Sequence, residues 1–258
     1  SFDTEKVNQY TNPGAGWLNN IWVMDRNGEF FYQLTDVYEK GSVLHAHFSH
    51  DGKKLMWAER IGGDTVGVAG AWTLKVADFV TEPQPHLVNI ESFSPGEQQI
   101  VCESHGFSPD DTKILFCGNL EKGQPPLGWD IYDLDLETQK LTRLTDTFYD
   151  WDEHAHYSPD GKRIVWMSST GYNIGSNTLM ADFWIMNSEG SDKHQLTFFN
   201  IPGHSHYRGF PIVAGDSSWS PDGNRIIAYI KTESAGFGSE GSIIMIEFVE
   251  GLYHFSLL

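Results

Sequence analysis

Eleven histidines are spread over the 258-residue chain, and six of them fall in pairs with one residue between. His45 and His47 stand four and two residues before Ser49, and His154 and His156 stand four and two residues before Ser158. On an extended strand both members of such a pair project from one face, so each pair offers two imidazoles in one direction. A third pair, His204 and His206, lies between Gly203 and Gly209. Imidazole is the commonest side-chain ligand of transition metals, and several neutral imidazoles together suit a divalent Mn, Zn, Cu, Ni or Fe ion better than Ca. His45, His47, His154, His156, His204 and His206 are therefore expected to line a metal or small-ligand site. Asp150, Asp152 and Glu153 are expected as further ligands, or as partners that fix a ring tautomer. His154 and Arg208 are the candidates for proton transfer and for pairing with a carboxylate. His105, three residues before Ser108, is one position out of register and is expected to point elsewhere or to sit on a bulge. The plainer alternative is that these rings hydrogen-bond backbone or water and bind nothing.

The elements that would carry the histidines are repeats. Four anchors recur at residues 47–59, 106–118, 157–169 and 219–231. Each is an aromatic residue, a Ser, a turn of Pro-Asp-Gly type and an alternating apolar run, which predicts a β-hairpin with a half-buried second strand. Between anchors lies a second strand–turn–strand unit, at 20–36, 129–146 and 182–198, closing on Leu-Thr. Residues 72–90 fill that slot in degraded form, and 241–248 begin it once more. The anchor serines 49, 108, 158 and 220 are separated by 59, 50 and 62 residues, the period of a four-stranded propeller blade. The expected fold is all-β: one propeller domain over 1–258 with antiparallel blades, about five of them, more if the chain is a fragment. The first strand of each blade would line a central channel, where equivalent His pairs would converge. The half-blade at 20–36 has no anchor, so either residues 1–10 supply its inner strand or the C-terminal strands do.

Composition narrows the function classes. Seventeen Lys and Arg stand against 35 Asp and Glu, a formal net charge of −18 that disfavours nucleic acid and anionic membrane surfaces. No apolar run approaches the roughly 20 residues needed to span a bilayer. The start has neither Met nor a leader-like run, as expected of a mature or trimmed chain. Cys102 and Cys117 flank one turn at similar distances, which leaves either a cross-strand bridge or two core thiols open. Residues 236–241 match a glycine-rich dinucleotide pattern but join two strands and open no helix, so they are expected as a loop. The run Asp133–Glu137 alternates acids with Leu, which predicts a solvated face opposite a core face. Trp22, Trp57, Trp166, Trp184 and Trp219 fall in repeat strands and are expected to pack, whereas Trp17, Trp129 and Trp151 lie nearer loops and are candidates for ligand contact.

Ser-Pro-Asp-Gly-Lys-x-Ile at 158–164, with Ile-Trp-Val-Met-Asp at 21–25 and Gln-Leu-Thr at 33–35 and 195–197, resembles the repeat of TolB-like β-propellers. The resemblance covers roughly residues 18–248. It implies a periplasmic or secreted binding module that docks a protein partner, small ligand or oligosaccharide at the channel face. More distantly the repeats and clustered His resemble oligogalacturonate-lyase-like propellers, which implies a metal-dependent β-elimination on acidic oligosaccharides. There a metal would neutralise the substrate carboxylate and His154 or Arg208 would take the proton. A purely structural scaffold is the third reading.

Overall fold

The structure, a computed structural model, describes residues 19–37, 41–62, 70–96, 101–172, 179–232, 241–249 and 252–257. All the regular elements among them are strands, and the chain divides into two compact units. Residues 1–107 with 118–122 form the first, and 108–117 with 123–258 the second.

The first unit holds the two-stranded ribbon β1 (Trp22–Met24) and β2 (Phe31–Gln33). It also holds the antiparallel sheet β3 (Ser42–Phe48), β4 (Lys54–Gly62), β5 (Ala71–Val80) and β6 (His86–Phe93), paired in chain order, and the strand β7 (Cys102–Phe107). Ile21, Val43, Leu55, Trp57 and Ala77 form one of its buried clusters. The division of the chain passes through the third sheet, ordered β10-β9-β8-β7, whose other strands are β8 (Lys113–Gly118), β9 (Asp130–Asp135) and β10 (Leu141–Arg143).

Two further sheets complete the second unit. One runs β11 (Asp152–Tyr157), β12 (Arg163–Ser168), β13 (Asp182–Asn187) and β14 (His194–Gln195). The other runs β15 (Ile212–Trp219), β16 (Arg225–Thr232), β17 (Gly241–Val249) and β18 (Leu252–Leu257). The C-terminal strands thus complete their own sheet. Residues 1–10, the other expected source of an inner strand for β1–β2, lie outside the described residues.

All four anchors form the predicted hairpins, and one device closes each. The Ser158 amide donates to the Arg163 carbonyl (2.8 Å), the Arg163 amide donates back to Ser158 Oγ (3.0 Å), and Ser158 Oγ donates to Asp160 (2.7 Å). The same three bonds recur at Ser49, Ser108 and Ser220. Gly52, Gly161 and Gly223 hold the left-handed position at φ near 70°, which Asp111 occupies at 58° in the second anchor.

The recurring Leu-Thr is a latch between the outer strands. Thr145 Oγ1 accepts the Ile131 amide (2.9 Å) and donates to buried Asp130 (3.2 Å). Thr197 does the same with the Phe183 amide and Asp182, and Thr35 with the Ile21 amide and Asn20. Leu144 and Leu196 enter the core beside these bonds.

The alternating runs of the anchors do not all become half-buried strands. Ile114–Cys117 and Ile164–Ser168 are buried without a break, and only β16 keeps the alternation, with Ile226, Ala228 and Ile230 inside and Ile227 and Tyr229 outside. A sheet covered on both faces buries both sets of side chains. Asp133 is likewise buried rather than solvated, because Lys113 reaches it at 3.0 Å. Cys102 and Cys117 are buried as thiols and not joined as a disulfide.

Candidate functional site

The inner strands that carry the His pairs are bulged. Pairing of β3 with β4 slips between Leu44 and His47, β11 with β12 between Glu153 and His156, and β15 with β16 between Ala214 and Ser217. His45 and His154 sit at equivalent bulge positions with φ of 49° and 53°, a left-handed conformation that is uncommon for a residue with a side chain. Simple alternation therefore does not govern where these rings point, and the local bulge re-aims them.

Within the first unit, His45 Nε2 lies 3.1 Å from Glu103 Oε2, and the glutamate side chain is almost wholly buried. His105 is buried too, with its ring edge-on to His45 at 5.9 Å. His105, expected to point elsewhere or to sit on a bulge, thus lies beside His45, and the next residue, Gly106, has φ 129°. Ser104 Oγ donates to the His45 carbonyl (2.8 Å), which holds the bulge from the neighbouring strand. His47 follows on β3, opposite Met56.

Within the second unit, His154 and His156 both approach Asp216 on β15. His156 Nε2 is 2.6 Å from Asp216 Oδ1, and His154 Nδ1 is 4.0 Å from the same oxygen. Both rings thus approach one carboxylate oxygen, across a bulge that the spacing alone does not show. Burial works against the Asp216 charge, but the His156 hydrogen bond, the two imidazoles and the Ser217 amide together hold the carboxyl far below the usual carboxylate range. Trp219 Nε1 donates to the His156 carbonyl (3.3 Å) and fixes the strand behind the ring.

Of the carboxylates expected beside this pair, only Glu153 comes near a ring, at 3.8 Å from His154 Nε2. Asp150 accepts from Thr170 Oγ1. Asp152 is fully buried and accepts from Thr147 Oγ1 (2.9 Å) and Trp166 Nε1 (3.2 Å). Sequence reasoning missed Glu103 and Asp216. Asp216 stands four residues before Ser220, the offset of His45 and His154 from their own serines, so superposing the anchors would have found it.

His204 and His206 lie in the turns between β14 and β15, not on an inner strand. Their rings meet edge-on at 4.5 Å beside Phe198. His206 Nδ1 accepts the Phe198 amide (3.3 Å), and His204 Nδ1 accepts the His206 amide (3.1 Å). Burial, then the charges of His204 and Arg208, lower the His206 pKa and keep that ring neutral. A neutral ring that accepts at Nδ1 carries its proton on Nε2 and has no lone pair left for a metal.

Among the described residues no group of three or more His, Cys, Asp and Glu is arranged to hold a metal ion. The geometry gives the reason. Two donors on a common tetrahedral ion at bond lengths near 2.1 Å stand roughly 3.4 Å apart. His156 and Asp216 are instead in direct hydrogen-bond contact at 2.6 Å. In this arrangement the two donors bond each other directly. What they offer is a fixed, ionised carboxylate that orients an imidazole, an arrangement able to bind a hydroxyl or amide and to accept a proton. Trp129 is buried and donates to the Pro126 carbonyl, so it is not a contact residue, and Trp17 lies outside the described residues.

No family model matches the chain. Solved structures similar to it include a puromycin-hydrolyzing peptidase of Mycobacterium tuberculosis (13% identity, TM-score 0.58, 89% of this chain and 31% of that one). They also include an oligogalacturonate lyase of Vibrio parahaemolyticus (15%, 0.55, 93% and 59%) and a periplasmic gluconolactonase of Pseudomonas aeruginosa (14%, 0.52, 91% and 61%). The chain spans less than two thirds of the length of each. At these identities the likeness shows the fold alone: an all-β propeller of antiparallel four-stranded blades, about five in number. Among the described residues no helix is long and apolar enough to cross a membrane.

Proposed function

We propose that the chain is an extracytoplasmic, TolB-like propeller module that binds a small polar ligand or a partner's polar group at two separate sets of residues, each a site by itself: His45 with Glu103 in the first unit, and His154 and His156 with Asp216 in the second. The observation that carries the reading is the repeated strain. Two equivalent bulges hold a histidine in the left-handed region, and each histidine meets a carboxylate supplied by the next inner strand. Glycine would adopt that backbone at no steric cost, whereas the histidine at each bulge sets an imidazole beside a carboxylate. The periplasmic gluconolactonase among the similar structures supports the compartment. The test is a thermal-shift and titration screen of neutral and acidic oligosaccharides, short peptides and divalent metals. A ligand that raises Tm in the parent chain and binds at least about tenfold more weakly to His156→Ala, about 1.4 kcal/mol, is the expected outcome. A ligand bound equally by the parent, His45→Ala and His156→Ala would refute it.

A β-elimination lyase acting on acidic oligosaccharides is the second reading, favoured by the His156–Asp216 contact, in which an ionised carboxylate holds an imidazole ready to take a proton. Oligogalacturonides or alginate would then give rising ultraviolet absorbance from unsaturated product, abolished in His156→Ala. No rise across that panel, with and without added Mn, rejects it.

A further inference from the structure

A cleft of about 840 Å³ opens within the second unit between the Ser158 and Ser220 turns. Trp219 and Phe248 form one wall, stacked at 5.3 Å with 14° between their planes, and Ile185 and Leu196 continue the apolar lining. Arg163 also lines it, and comparison among the repeats gives that residue its meaning.

Each full blade carries a basic residue five positions after its anchor serine: Lys54, Lys113, Arg163 and Arg225. Three of the four meet an acid on the third strand of their own sheet. Lys54 reaches Asp78 at 2.6 Å, Lys113 reaches Asp133 at 3.0 Å, and Arg225 reaches Glu247 at 3.1 Å. The residue paired across from Arg163 is Asn187, which carries no charge. Among the described residues no carboxylate lies within ion-pair distance of the Arg163 guanidinium. Asp160 and Asp222 line the cleft as well, but each is engaged by its own turn. Asp160 accepts from Ser158 Oγ and the Lys162 amide, and Asp222 from Ser220 Oγ and the Asn224 amide. The cleft therefore combines an exposed guanidinium that has lost the partner its counterparts keep with a flat aromatic wall.

We propose that this cleft is a binding site for a small aromatic monocarboxylate, whose carboxylate pairs with Arg163 and whose ring lies along Trp219 and Phe248. Guanidinium matches a carboxylate with two parallel hydrogen bonds, and the indole face favours stacking with a planar ring.

The experiment is calorimetric titration of the whole chain with benzoate, naphthalene-2-carboxylate and indole-3-acetate, each beside its neutral carboxamide. At least one carboxylate binds and its amide binds at least tenfold more weakly. Arg163→Gln loses that preference. Asn187→Asp restores the internal ion pair of the sister blades, so it also loses carboxylate binding, by at least tenfold, while its Tm stays level or rises. His156→Ala binds the carboxylate as the parent does, which separates this site from the histidine site. Equal binding of acid and amide, full binding by a folded Asn187→Asp, or no binding of any of the three carboxylates overturns the proposal.

Discussion

Replacing Asp152 by Asn changes how the stability of the second unit depends on pH. Asp152 has no exposed surface and sits among the hydroxyls of Thr145, Thr147 and Ser168 and the indole of Trp166. Burial pushes its carboxyl up from 3.8 to about 6, hydrogen bonds from the hydroxyls oppose the rise, and Asp130 adds to it. A folded-state value above the unfolded one means that the folded chain binds the proton more tightly. The stabilisation is therefore complete below about pH 4 and is lost as pH rises through about 6. At 1.36 kcal/mol for each tenfold change in proton affinity, the whole loss, from well below the lower limit to well above the upper, is about 3 kcal/mol. Urea unfolding of the parent and of Asp152→Asn at pH 4, 5, 6 and 7 separates Asp152, with its coupling to Asp130, from the remaining carboxyls. The parent should lose about 2 kcal/mol relative to the variant from pH 4 to pH 7, with most of the change before pH 6. A stability difference that stays constant with pH, or that moves in the parent's favour as pH rises, refutes the assignment.

Thr197→Ala removes the latch that accepts the Phe183 amide and donates to Asp182, leaving buried polar groups unsatisfied. It should cost about 1–3 kcal/mol by chemical denaturation, whereas Thr138→Ala on an exposed turn should cost well under about 1 kcal/mol. His154→Gly should leave stability within about 1 kcal/mol of the parent, because glycine relaxes the left-handed backbone as it loses the ring, and His154→Val should cost clearly more. Equal losses for the two would mean that φ at residue 154 is not under strain.

The repeats made the architecture legible because each anchor states its own turn. Ser, Asp and a left-handed residue at fixed offsets can close in one way, and the apolar residues that follow have to be a strand. The histidine positions were legible for the same reason, since their offset from the anchor serine carried over between blades. What could not be read was the direction of the rings. A bulge adds a residue to one strand without any mark in the apolar pattern, and here it falls at His45 and His154. The partners were hidden because Glu103 and Asp216 come from the following inner strand, about 60 residues on, and nearer acids such as Asp152 were the more obvious choice. The loss of a charge opposite Arg163 shows in the sequence only once β12 and β13 are in register.

The anchor turns close on themselves: serine, aspartate and two backbone amides bond one another within six residues. A segment that starts with one inner strand and stops before the next, such as 152–211, thus encodes a cassette whose hairpin is already complete. Duplication, deletion or exchange of such cassettes between relatives leaves every turn intact and alters only the packing at the new junctions. Rearrangement of whole blades and substitution in the few positions before each serine are thus separate ways to alter this protein.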